Sequence, residues 1–129
     1  MKNRLTGVKT DVTDEKSVQN LVQKAVEKHG RIDILLNIAG AYVGGYDVAN
    51  TKESDWGFMM NVNLKSAFLC SKAVLPYMIK QNYGKIVSVS SRIAVEKRTR
   101  AKSGAYAVSK AGVIVLTETM EEEVKKYDI

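Results

Sequence analysis

Apolar residues along this chain follow two different rhythms, and their alternation predicts layers of helix and strand. Over residues 12–30, Val18, Leu21, Val22, Ala25 and Val26 recur at three- and four-residue spacing, which predicts a helix with one apolar face. Thr13 or Asp14 can cap its start, and His29 beside Gly30 marks its end, where capping suits both residues. The run Ile32-Asp-Ile-Leu-Leu-Asn-Ile-Ala39 is too short for a typical helix and too continuous for a strand with one wet face. It predicts a fully buried parallel strand ending at Gly40. Residues 41–50, with Gly44-Gly45, read as a loop. Residues 51–81 are helical in pattern, with a break expected near Gly57 and a bend or local end at Pro76. Asn82-Tyr-Gly84 turns the chain into Lys85-Ile-Val-Ser-Val-Ser90, a second buried strand rich in β-branched residues. Ser103 then caps a helix reaching about Lys126. Strands alternating with helices of this length predict βαβ units, a parallel sheet and right-handed crossovers.

Composition narrows the class without changing this picture. With 129 residues and 45% hydrophobic content, the chain is expected to form a single domain with a core of its own. No apolar run approaches the ~18 to 20 residues that cross a bilayer, and the opening Met1-Lys-Asn-Arg-Leu-Thr shows no signal-peptide apolar stretch. A cytoplasmic protein with no membrane partner is therefore expected. The single cysteine, Cys70, excludes an internal disulfide, suits a reducing compartment, and is expected to be buried. One Cys and one His cannot build a Cys/His zinc site, so no metal is expected. The net charge of +6 raises nucleic acid as a partner. Arg92, Lys97, Arg98, Arg100 and Lys102 crowd into one stretch, yet no aromatic residue interleaves there to stack on bases. A basic loop with a solvated surface is expected, and no nucleic-acid partner.

The residues that carry chemistry lie in Gly104-Ala-Tyr-Ala-Val-Ser-Lys-Ala-Gly112. Tyr106 and Lys110, four positions apart, share one helix face. A phenol with its ordinary pKa of about 10 is a poor acid or base at neutral pH, and an ammonium one turn away favours its phenolate. The pair suits proton transfer near neutrality. In open parallel sheets, ligands bind beyond the carboxyl ends of the strands. Asn37-Ile-Ala-Gly40 ends one strand, Ser90-Ser91 ends the other, and the helix with Tyr106 and Lys110 starts on that side. These features converge on one edge of one sheet.

Taken in order, Asp11, Asn37-Ile-Ala-Gly40, Asn63 within Val62-Asn-Leu-Lys-Ser-Ala-Phe68, Ser91 and Tyr106-Ala-Val-Ser-Lys110 resemble the short-chain dehydrogenase/reductase family over nearly the whole chain. The resemblance implies a partial Rossmann-like, doubly wound parallel sheet, and an oxidoreductase moving a hydride between NAD or NADP and an alcohol or carbonyl substrate. It implies Tyr106 as general acid/base and Ser91 as the hydroxyl that holds the substrate oxygen. Lys110 would grip the nicotinamide ribose and lower the Tyr106 pKa, and Asn63 would bind a water that relays protons from Lys110. Asp11 and Val12 would lie along the adenine side, and Asn37, Ala39 and Gly40 along the cofactor's ribose, with Tyr106 and Lys110 also touching the cofactor. The helical regions 51–81 and 103–126 resemble those that pair subunits in the family, which implies a homo-oligomer, dimer or tetramer.

Local alternatives remain open at four places. Ser90 competes with Ser91, and Asn61 with Asn63. Asp11 can equally cap the first helix, and Asn37 can be a hydrogen-bonded strand-end residue. The sequence also departs from the family pattern: Ile38 stands where the second Asn of Asn-Asn-Ala-Gly is usual, Ser66 replaces a common Gly, and the Ser91-to-Tyr106 separation is slightly long. No Gly-x-x-x-Gly-x-Gly occurs in the chain, and Leu5-Thr-Gly-Val-Lys9 looks like the family's third strand. In the family's strand order that strand would lie about 14 Å, three strand spacings, from residues 32–38. Residues 5–9 are therefore not expected to pair with residues 32–38, and the strand at 32–39 is expected to carry an unpaired edge. These departures predict the catalytic middle of a longer enzyme, with an inactive remnant or self-associating module as the alternative.

Overall fold

The computed structural model describes residues 5–96 and 101–129. Two parallel strands, β1 (Ile34–Asn37) and β2 (Lys85–Ser88), pair in the register Ile34↔Lys85 to Asn37↔Ser88. Around them run helix α1 (Glu15–His29), a 3-10 turn (Val48–Asn50), α2 (Glu53–Met59), a π-helical segment (Met60–Lys65), α3 (Ser66–Gln81), α4 (Arg92–Val95) and α5 (Gly104–Val124). Alternating helices with a parallel strand pair make an α/β architecture, as the two rhythms predict. The Leu5-to-Lys9 stretch forms no ladder with β1. Lys97, Arg98 and Arg100 of the basic loop lie outside the described residues.

Helix α1 starts where Asp14 accepts the backbone N–H of Ser17 at 2.7 Å, so Asp14 and not Thr13 or Asp11 is the cap. It ends at Gly30, whose φ of 76° is the left-handed conformation that glycine adopts without strain. Val18 and Val22, one turn apart, bury the apolar stripe against α3. Val18 packs with Leu69 and Cys70, and Val22 with Val74 and Met78, while Leu35 of β1 and Ala73 of α3 touch both groups. Each such side chain contributes about 1.5–3 kcal/mol when fully buried. Cys70 lies inside this layer, and burial raises its thiol pKa, which makes it an inert packing group.

Two side-chain amides pin the segment that contains β1. At its start, Gln81 accepts from the Ile32 N–H at 3.1 Å and donates to the Ile32 carbonyl at 2.8 Å. Beyond its end, Asn63 accepts from the Ala41 N–H at 2.9 Å and donates to the Ala41 carbonyl at 3.0 Å. Gln81 closes α3 and Asn63 lies in the π segment that precedes it, so one continuous helical rod sets the position of β1 at both ends.

Several expectations need correction. The strands are shorter than the runs 32–39 and 85–90, and neither is fully buried. Leu35 and Ile86 face the helices, whereas Ile34, Leu36, Ile38, Val87 and Val89 are exposed, because the helical layer formed by α1 and α3 covers the other face. The helical region 51–81 is not broken at Gly57, which lies inside α2; its irregularity is the π segment. Pro76 neither ends nor interrupts α3. Both Pro76 and Lys72, whose carbonyl loses its amide partner, are on the exposed side, where water can take that carbonyl. Ser103 stands at the cap position of α5 but makes no capping bond with its side chain; its carbonyl accepts from Ala107 N–H at 2.8 Å. Among the described residues, no helix is long and apolar enough to cross a membrane.

Candidate active site at the carboxyl end of the strand pair

Because β1 and β2 are parallel, their carboxyl ends lie side by side, and the chain leaving each runs towards α5. The π segment brings in a third wall. Its wider turns place the Ser66 N–H on the Asn61 carbonyl, and the Ser66 hydroxyl donates to the Val62 carbonyl at 2.6 Å. The buried Ser66 hydroxyl therefore has a backbone partner. The widened turn directs Asn63 inward, where it is 2% exposed, while Asn61 remains on the outside.

Asn63 is fully occupied as a donor. Besides Ala41, it donates to the Ser109 hydroxyl at 3.1 Å, and Ser109, itself completely buried, donates to the Tyr106 carbonyl at 2.8 Å. A hydrogen-bonded path thus joins the loop after β1 to the first turn of α5. Gly40 passes close to this junction: a Cβ at that position would stand 2.9 Å from Asn63 Oδ1 and 3.3 Å from Lys110 Nζ. Only a bare backbone fits there.

Lys110 lies 4% exposed and donates from Nζ to the Val89 carbonyl at 2.8 Å. It joins none of the ion pairs found among the described residues. Burial without a carboxylate lowers its pKa below the ordinary lysine range. The Ser90 hydroxyl donates to the Lys110 carbonyl at 2.7 Å and fixes the helix against the end of β2. Ser91, the next residue, has an extended backbone and stands at the N-terminus of α4, its carbonyl accepting from Ala94 N–H at 3.0 Å. Tyr106 is partly buried, and its ring meets that of Tyr42 edge to face at 5.1 Å.

The remaining sequence candidates lie around this cluster. The Asn37 amide donates to Ser71 at 3.2 Å and Ser88 at 3.1 Å, tying the end of β1 to α3 and β2. Ala39 is exposed on the way to Gly40. Val12 packs on the Val18, Leu69 and Cys70 cluster. Asp11 accepts from the Thr13 hydroxyl at 2.7 Å and the Thr13 N–H at 2.9 Å, and these bonds hold its carboxyl below the usual carboxylate range. Sequence reasoning missed Ala41, Tyr42, Val89 and Ser109 as members of the site. A signal existed only for Ser109, a small hydroxyl adjoining Lys110 on the same helix.

The residues present suit a nicotinamide dinucleotide. The buried Lys110 ammonium has protons beyond the one given to Val89, and these match the vicinal hydroxyls of a ribose.

Comparison with known proteins identifies the family. The family profile of short chain dehydrogenases matches residues 1–129. The chain is 43% identical over 119 residues to the 3-oxoacyl-acyl-carrier-protein reductase FabG of Thermotoga maritima, covering 92% of this chain and 47% of that protein. It is 41% identical to the oxidoreductase UcpA of Salmonella typhimurium, covering 98% of this chain and 48% of the relative. Among solved structures, NADP-bound ElxO superposes with a TM-score of 0.89 at 33% identity, covering 94% of this chain and 48% of that one. NAD+-bound xylitol dehydrogenase superposes with a TM-score of 0.85 at 37% identity, covering 93% and 45%. The chain spans about half the length of the curated relatives it matches. Its Rossmann-like fold, its ordered motifs and these matches agree: the chain belongs to the short-chain dehydrogenase/reductase family.

Proposed function

We propose that this chain carries the proton-transfer centre of an NAD- or NADP-dependent oxidoreductase acting on an alcohol or carbonyl group of a small molecule. The observation that carries the reading is Lys110: a buried lysine with no carboxylate partner among the described residues, one helical turn from Tyr106 and beside bare Gly40. Burying a charge without a counter-ion is costly, and such a cost marks functional sites. When bound, the nicotinamide cofactor supplies the hydride donor or acceptor. Lys110 and Gly40 would hold its ribose, with Asn37 and Ala39 behind them and Asp11 and Val12 towards the adenine.

The chain's own residues do the acid–base work. Tyr106 gives its proton to the substrate oxygen during reduction and takes the hydroxyl proton during oxidation. The Lys110 cation stabilises the negative charge left on the phenol oxygen. Ser91 holds the substrate oxygen, a role favoured for it because the Ser90 hydroxyl is committed to the Lys110 carbonyl. Both Asn63 amide protons are engaged, so a relay water near Lys110 would be held by the second Oδ1 lone pair or by carbonyls of the π segment.

The protein that carries this chain, assayed with a panel of alcohols and ketones by nicotinamide absorbance, is expected to turn over at least one pair. Lys110→Met is expected to lower kcat/KM about a hundredfold and raise the cofactor KM. Its stability effect has a definite pH dependence. A lysine whose folded pKa is depressed burdens the fold at neutral pH, and that burden lifts as pH rises from the folded value towards the unfolded value near ~10.4. Lys110→Met removes that burden but leaves the Val89 carbonyl without its donor, so its melting temperature relative to the parent should fall as the pH rises into alkali. A collapse in melting temperature with activity retained would make Lys110 a structural residue instead.

Self-association belongs to the same reading. Phe68 and Tyr77 on α3 and Val108 and Val115 on α5 are exposed, an apolar surface suited to a second copy of the protein. Sedimentation equilibrium should report a dimer or tetramer, and a monomer at micromolar concentration would remove the proposal. A cytoplasmic location fits the single, free cysteine, Cys70.

A further inference from the structure

We propose that Tyr42 is a positioning residue for Tyr106, holding the plane of the reacting phenol through ring contact; the inference rests on the acid/base reading of Tyr106. The two ring centroids are 5.1 Å apart and the planes cross at 79°. In this arrangement the positive edge of one ring meets the negative face of the other. Tyr42 is 54% exposed, so burial of its own surface does not explain where it sits.

Its placement is built in from both sides. Asn63 fixes the preceding residue, Ala41, through both backbone groups, so Tyr42 leaves from an anchored point. Two residues on, Gly44 makes room for the far end of the ring, since a Cβ there would collide with Tyr42 Cζ and Oη. Gly45 adopts a φ of 99°, and its N–H donates at 3.0 Å to the carbonyl of Lys102, in the chain entering α5. The loop is thus tied to the helix it serves.

Rotation of a tyrosine ring about its last side-chain bond is soft; it leaves the phenol oxygen on the rotation axis but turns the plane in which the O–H bond prefers to lie. The edge-to-face contact restrains that rotation. Proton transfer is sensitive to small misalignments of the donor, so the contact should be visible in turnover more than in binding.

The test uses the full-length protein and two substitutions. Tyr42→Leu keeps an apolar side chain without the aromatic edge, and kcat should fall about three- to tenfold with the cofactor KM unchanged. Tyr42→Phe keeps the ring and should restore kcat to near the parent value. Fluorine NMR of the fluorotyrosine-labelled protein, with the Tyr106 resonance assigned by its loss in Tyr106→Phe, should show that resonance displaced in Tyr42→Leu and little moved in Tyr42→Phe. A Tyr106 resonance unmoved by Tyr42→Leu, a kcat within twofold of the parent, or equal losses in both variants would overturn the role. If Tyr106→Phe retains turnover, the acid/base reading falls, whereas the ring contact is still reported by NMR. If Tyr106→Phe is inactive and Tyr42→Leu is not impaired, the positioning role alone falls.

Discussion

Tyr106→Phe is expected to lower turnover about a thousandfold while leaving cofactor affinity within a few-fold of the parent. General acid–base catalysis by a placed side chain contributes about 10²- to 10⁴-fold, and phenylalanine removes the transferable proton without altering ring shape. The contact with Tyr42 and the helix around Tyr106 should survive, because neither depends on the hydroxyl. The melting temperature should therefore stay close to that of the parent. Calorimetric titration with the cofactor, beside steady-state rates, separates the two effects. Turnover retained above a tenth of the parent rate would remove Tyr106 from the proton-transfer role and leave its pairing with Lys110 a matter of helix spacing.

The second large effect is on stability. Asn63→Leu replaces a buried amide by a side chain of similar size that can make none of its hydrogen bonds. The Ala41 N–H, the Ala41 carbonyl and the Ser109 hydroxyl each lose a partner. Leaving several part-buried polar groups unsatisfied should cost about 3 kcal/mol, read from a denaturant or thermal unfolding curve. The loss should extend to function, since Ala41 anchors the loop that carries Gly40 and Tyr42. Asn61→Leu is the matched control: Asn61 is exposed, its carbonyl still serves Ser66, and stability should change little. Equal effects at both positions would contradict the clamp.

Asn63 also illustrates what a sequence can and cannot convey. Its neighbours Val62 and Leu64 and the ordered motifs around it made it a candidate, but the spacing predicted an ordinary helix interrupted at Gly57. The π segment has no periodic signature, because one widened turn shifts the rhythm by a single residue among many. Pro76 misled in the opposite direction. Its effect depends on whether the carbonyl it forfeits is buried, and only the packed helix puts that carbonyl on the wet side. The apolar run at 32–39 was legible as a strand, yet its burial was not, since burial depends on what covers the second face.

By itself, the sequence determined the things that repeat over short distances. Apolar spacing specified the helices and the parallel strands, and a four-residue interval put Tyr106 and Lys110 on one helix face. Only the tertiary structure chose between neighbours with equal local credentials. It committed Ser90 to the Lys110 carbonyl, sent Asn63 inward and Asn61 outward, made Asp14 the cap, and set Tyr42 against Tyr106. The physical reason is that a side chain's local pattern fixes the direction in which it leaves the backbone. The partner it meets there comes from residues tens of positions away, and that partner decides its chemistry.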